Sequence, residues 1–112
     1  MNPSAPRRTN VLVMHPDPLL SAGLVAALRR HPAFDVFTEE NDEVGLRETQ
    51  IDVAIGDYAN AMRLANVAVR ATDRRLAAAR IMALTLNDRE ADIRRAIEAG
   101  VHGYLLLGSR LR

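Results

Sequence analysis

Asn10-Val-Leu-Val-Met14, followed at once by His15-Pro-Asp-Pro18, decides how the rest of the chain is read. The first five residues form a short apolar run with β-branched side chains, the pattern of a strand covered on both faces. Asp17 before Pro18 is a strong helix start. The aspartate side chain can accept from the orphan N–H groups of the first turn, and proline at the first helical position lacks an N–H that would have no partner anyway. Leu20, Leu24 and Leu28, with Val25 beside them, then line one helical face. Arg29, Arg30 and His31 suit the negative end of the helix dipole, and Pro32 stops the helix.

The same alternation continues outward. Residues 34–37 read as a second strand and residues 41–49 as a short helix. Residues 51–55 form a third apolar run, broken near its start by Asp52 and closed by Gly56-Asp57. Residues 59–79 are rich in Ala and Arg and read as one helix, or as a helix with a break near Thr72-Asp73. Residues 81–84 are a fourth strand. Asn87 with Glu90 is shaped like a capping box for a helix carrying Ile93, Ala96 and Ile97, with Gly100 at its C-terminal cap. Residues 104–107 are a fifth strand. Five continuous apolar strands alternating with helices predict the α/β class, a doubly wound parallel sheet covered on both faces. Ligands of such sheets sit beyond the C-terminal strand ends. Those positions hold His15, Pro16 and Asp17, then Asp57, Thr85 and Leu107.

The chain has 112 residues, enough for one domain, and 48% of them are hydrophobic, enough for a core. A net charge of +1 gives no electrostatic case for nucleic acid or membrane binding. No apolar stretch is long enough to span a bilayer, and no signal peptide is visible, so a cytoplasmic location is expected. There is no cysteine, which removes disulfide and thiol chemistry, and no lysine, since all 15 residues of the Lys/Arg class are arginine. The loop after the first strand holds two prolines where a nucleotide site needs glycines. There is no Gly-x-Ser-x-Gly elbow. No nucleophile–base pair stands at useful spacing, so the chain is not expected to be an enzyme. Three separated histidines make no metal signature, and His31 and His102 read as structural.

Four segments, in order, resemble two-component receiver domains, especially those that open LuxR/FixJ-type transcription regulators. They are Val11-Leu-Val-Met-His-Pro-Asp-Pro-Leu-Leu-Ser-Ala-Gly-Leu24, Asp52-Val-Ala-Ile-Gly-Asp57, Ile81-Met-Ala-Leu-Thr85 and Ala96-Ile-Glu-Ala-Gly-Val-His-Gly-Tyr-Leu-Leu-Leu107. The resemblance spans residues 10–108 and implies a flavodoxin-like receiver fold. It places Asp57 at the phosphoacceptor position. Thr85 falls on the hydroxyl residue that turns toward the phosphate, and Tyr104 on the aromatic that moves between outer and inner positions. The remaining family positions are lost. The adjacent acidic pair falls on His15 and Pro16, the lysine on Leu107, and the loop after the phosphoacceptor reads Tyr58-Ala-Asn-Ala-Met62.

The chemistry of those losses is plain. Mg²⁺ wants oxygen ligands in a tight octahedron. Proline offers none, and imidazole suits softer metals. Leucine cannot pair with a phosphoryl oxygen. An aspartyl phosphate would bring about two negative charges into an uncompensated pocket. A degenerate receiver is therefore expected, with Mg²⁺ binding weak or absent, no other cofactor, and little or no phosphorylation. It would act by protein–protein contact, as a homodimer, with a sensor kinase or another regulatory protein as further partner. DNA would be reached only through a C-terminal effector domain beyond Arg112. Two other readings stand: a working phosphoacceptor with a non-standard metal site, and a small-ligand sensor. Each site residue also has a plainer reading. Asp17 is explained by capping, Asp57 is a relic or retained, Thr85 and Tyr104 are edge-of-core residues, and His15 is a loop imidazole or a charged partner of Asp57.

Residues 1–9 read as a flexible leader and residues 10–112 as a receiver-like domain truncated at its C-terminus. The receiver pattern ends in one more helix, and without it an apolar sheet face needs another cover.

Overall fold

The computed structural model describes residues 8–39 and 49–108. Its elements follow the expected alternation: β1 (Thr9–Met14), α1 (Pro18–Arg29), β2 (Phe34–Thr38), β3 (Val53–Gly56), α2 (Tyr58–Ala65), α3 (Val67–Thr72), a 3₁₀ turn (Arg74–Leu76), β4 (Arg80–Thr85), α4 (Glu90–Ala99) and β5 (Gly103–Leu106). The helix expected over residues 41–49 falls almost entirely outside the described residues. Of the residues read as a leader, Thr9 opens β1 and Arg8 pairs with Asp35 at 2.9 Å.

The five strands are parallel, in the order β2-β1-β3-β4-β5. This is the flavodoxin-like doubly wound order. The chain leaves β1 for β2 on one side and returns to β3 on the other. Register sets Met14 beside Gly56 and Gly56 beside Ala83, so β1 and β3 end level and β4 runs two residues further, to Thr85. His15 and Asp57 come immediately after two of those ends.

Alternation along the strands divides the core between the two faces. Leu12, Met14, Ala54, Ile81 and Ala83 pack with Leu64, Leu76 and Ala96 beneath the helices of one face. Leu12, Ile51, Leu64, Leu76 and Ile81 are the largest fully buried side chains, each contributing roughly 1.5–3 kcal/mol of transfer free energy. Val11 and Val13 point the other way, to Val25 and Val36, with Leu24, Leu28 and Ile55 at the margin. Beyond α1 no described helix packs on this second face. A wholly apolar groove of about 370 Å³ runs across it, lined by side chains that include Val53, Ile55, Met82, Leu84 and Leu105.

Several local expectations need correction. The helical stretch after β3 breaks first at Asn66, whose backbone is extended and whose Oδ1 accepts from the Ala68 N–H at 2.8 Å. An asparagine that bonds the nearby backbone competes with helix propagation. The second interruption does lie at Asp73, which caps the 3₁₀ turn. Asn87 is not the cap of α4. Arg89 holds that position with no side-chain cap bond, while the Asn87 Oδ1 accepts from the Arg89 N–H two residues on, at 3.1 Å. Asp17 does cap α1, its Oδ1 accepting from Leu19 and Leu20 at 2.9 and 3.2 Å. Gly100 ends α4 at φ +108°, a left-handed conformation that glycine adopts without strain. β3 starts two residues later than expected, and β5 starts and ends one residue earlier, leaving Leu107 just past its end.

Candidate functional site

The site is the C-terminal edge of the sheet. Gly56 lets α2 begin directly above the end of β3: a Cβ built there would stand 2.8 Å from the Asn60 Cβ. Asp57 is thereby placed at the N-cap of α2. Its Oδ1 accepts from the Asn60 N–H at 3.0 Å and its carbonyl from the Ala61 N–H at 2.8 Å. The half-buried carboxylate, expected from the sequence at the phosphoacceptor position, is the helix cap.

Asn60 links this cap to β1. Its Nδ2 donates to the Met14 carbonyl at 3.2 Å, and its Oδ1 accepts from Arg63 Nη2 at 3.0 Å. The same guanidinium nitrogen stands 4.0 Å from the Met14 sulfur. A fixed cation therefore reaches the end of the strand whose following loop carries His15 and Pro16. His15 Nδ1 accepts from the Asp17 N–H at 3.1 Å, so the imidazole is tied back into its own loop. Pro16 is exposed and brings no polar side chain. Asp17 is occupied by its cap. Among the described residues, no group of three or more His, Asp or Glu side chains converges as a metal site would require.

On the other side, Thr85 is buried at the end of β4. Its Oγ1 accepts from the Asn87 N–H at 3.2 Å, and its carbonyl accepts from the Leu107 N–H at 2.8 Å. The Tyr104 hydroxyl donates to the Asn87 carbonyl at 2.6 Å. Asn87 also donates through Nδ2 to Asp92 at 3.1 Å. Tyr104 and Tyr58 meet edge to face, centroids 6.3 Å apart, and the Tyr58 hydroxyl donates to the Asp92 carbonyl at 3.0 Å. Burial, then the charge of a neighbouring phenolate at Tyr58 and the carboxylates of Asp92 and Asp88, holds the Tyr104 phenol above its ordinary pKa.

All the residues singled out in the sequence thus lie along one edge, in two groups. His15, Pro16 and Asp57 belong to the β1–β3 side. Thr85, Tyr104 and Leu107 belong to the β4–β5 side. Sequence reasoning missed Asn60, Arg63, Asn87 and Tyr58 as members. The Asp57-x-x-Asn60 spacing carried a capping signal for the first of these. Nothing local announced that Arg63 would fold back onto β1 or that Tyr104 would select the Asn87 carbonyl.

No protein-family profile matches the sequence, and no curated protein is similar to it at a significant level. Solved structures are. The signal receiver domain of the putative response regulator NarL from Mycobacterium tuberculosis matches with a TM-score of 0.72 and 29% identity, over 94% of this chain and 88% of that one. A response regulator from Thermotoga maritima matches with a TM-score of 0.68 and 19% identity, over 92% and 87%. A LuxR-family two-component response regulator from Aurantimonas sp. SI85-9A1 matches with a TM-score of 0.66 and 24% identity, over 91% and 76%. The strand order and these likenesses lead to one conclusion: the chain has the fold of the receiver domains of two-component response regulators.

Proposed function

We propose that this receiver signals through protein–protein contact, with little or no phosphorylation of Asp57, and that it forms the N-terminal part of a cytoplasmic LuxR-type transcription regulator. The observation that carries the reading is what surrounds Asp57. Its own carboxylate caps α2. The positions that would balance a phosphoryl group hold His15, whose Nδ1 is already bonded, Pro16, which has no donor or acceptor side chain, and aliphatic Leu107. The two expected acidic positions supply no side-chain oxygen, and what remains beside Asp57 is already engaged in caps and loop bonds, a set that does not fit an octahedral hard cation. We therefore assign no step to a metal and no catalytic residue to the chain. No described helix is long and apolar enough to cross a membrane.

Homodimerisation is the contact we favour. The open groove beside α1 is lined by apolar side chains, and Leu105 at its edge is 53% exposed. Apolar patches of this kind are typically covered by a partner.

A second reading keeps the phosphoryl chemistry. It is favoured by the Thr85–Asn87–Tyr104 chain, which joins the two switch-equivalent side chains through one loop residue. Titration with Mg²⁺, then with beryllofluoride, separates the two. The proposed function predicts no saturable Mg²⁺ response and no spectral change at Thr85 or Tyr104 on adding the phosphoryl mimic. Saturable binding followed by shifts at both residues would establish the second reading instead.

A further inference from the structure

A cleft of about 570 Å³ opens between α1, the C-terminal ends of β1 and β2, and the first turns of α2. Its volume falls within the roughly 300–1,000 Å³ of small-molecule sites. Neither Asp57 nor Thr85 lines it, although it shares His15, Pro16, Asn60 and Arg63 with the strand-end site. Arg29 enters from the last turn of α1 and Arg63 from α2. These helices lie on opposite faces of the sheet, so the cleft takes one guanidinium from beside Val36 of β2 and the other from beside Met14 at the end of β1.

Neither arginine has a carboxylate partner among the described residues. Each is nevertheless held in place. Arg29 donates to the Val36 carbonyl at 3.1 Å, and Arg63 to Asn60 Oδ1 at 3.0 Å. A guanidinium carries five N–H donors, so the single bond of Arg29 and the contacts of Arg63 Nη2 with Asn60 and the Met14 sulfur leave most of each fork free. Among the described residues lining the cleft, the one carboxylate, Glu39, already faces Arg75 at 3.5 Å. Buried Val13 and Val25 supply apolar surface. Two unpaired planar forks select an oxyanion, because their donors match carboxylate or phosphate oxygens in pairs. The edges of Val13 and Val25, with Pro18 and Ala22, give an organic scaffold a small apolar contact behind it.

We propose that this cleft binds a compact organic oxyanion, a carboxylate or a phosphate ester, clamped between Arg29 and Arg63. The proposal stands on residues other than Asp57 and holds whether or not that residue accepts a phosphoryl group. Such a ligand would join α1 to α2 across the edge of the sheet and give the receiver an input that needs no kinase.

The test is an NMR titration of the ¹⁵N-labelled chain with malonate, with glycerol phosphate and with inorganic phosphate, at ionic strength fixed with chloride. Saturable shifts at Val13, Val25 and Thr38 are expected with malonate or glycerol phosphate. Saturation by malonate alone identifies the carboxylate class, and by glycerol phosphate alone the phosphate class. A response equal to that of inorganic phosphate would deny the organic scaffold. Arg29→Gln and Arg63→Gln should each weaken binding about 10-fold or more, the cost of a charge-assisted hydrogen bond. Arg74→Gln, an exposed guanidinium outside the cleft, should leave it unchanged. Unchanged amide spectra away from the cleft would show that the variants fold. Shifts that never saturate, or an Arg29→Gln/Arg63→Gln double variant that binds like the wild type, would overturn the proposal.

Discussion

Replacing Gly56 by alanine perturbs the contact that places Asp57. Gly56 has no positive φ, so the backbone itself tolerates a side chain. The difficulty is space: the new Cβ would meet the Asn60 Cβ at 2.8 Å, the Ala61 N at 3.1 Å and the Asn60 C at 3.3 Å. Two of these atoms are helix backbone, so relief requires the first turn of α2 to lift. Overpacking of this kind costs roughly 1–3 kcal/mol, against about 0.4–1 kcal/mol gained because alanine narrows the unfolded ensemble. The net expectation is a loss of about 1–2 kcal/mol. At roughly 4 °C per kcal/mol for a domain of this size, Tm should fall by about 4–8 °C in a thermal melt followed by circular dichroism. Gly23 is the internal control. It lies within α1 with nothing within 4 Å of a built Cβ, so Gly23→Ala should gain about 0.5–1 kcal/mol. If Gly56→Ala melted at or above the wild-type temperature while Gly23→Ala gained stability, the crowding of α2 onto β3 would be wrong.

Further outcomes follow from the same contacts. Asp17→Ala removes the acceptor for two N–H groups of α1 and should cost about 1 kcal/mol in urea unfolding. Arg70 donates to the carbonyls of Leu76, Ala77 and Ala79. Arg70→Ala should therefore cost about 2 kcal/mol, and Arg70→Lys should recover little, because an ammonium lacks the fork that reaches all three carbonyls. The Tyr104 phenol is held above its ordinary value of 10.0. The folded state then keeps a proton that the unfolded state releases, so this contribution is intact below about pH 10 and is lost as pH rises further. Urea unfolding between pH 9 and 11 should show wild-type stability falling more steeply than that of Tyr104→Phe.

The fold was legible because its signals are local and repeated. The apolar runs at Val11 and Ile81, the Asp17-Pro18 start and the Gly100 stop each act within a few residues and agree with one another. The corrections arise where a polar side chain chose among nearby backbone partners. Asn66 took the Ala68 N–H and broke a helix that composition alone would continue. Asn87 was drawn into a loop by Tyr104, 17 residues away in sequence. The site was legible as a set of strand ends, since strand order and register bring His15, Asp57 and Thr85 to one edge. Its bonding was not. Asn60 and Arg63 face the end of β1, 46 and 49 residues earlier, and no spacing rule reports a contact made only by tertiary packing.

On the proposed function, the groups around Asp57 cannot balance a phosphoryl charge. Incubation of the chain with a small-molecule phosphodonor and Mg²⁺, followed by intact-mass measurement, tests this most directly. The His15→Asp/Pro16→Asp/Leu107→Lys variant, which restores the carboxylates and the ammonium, serves as the comparison. The wild type should gain no phosphoryl mass, and the restored variant should show a labelled fraction. Stoichiometric labelling of wild-type Asp57 would contradict it.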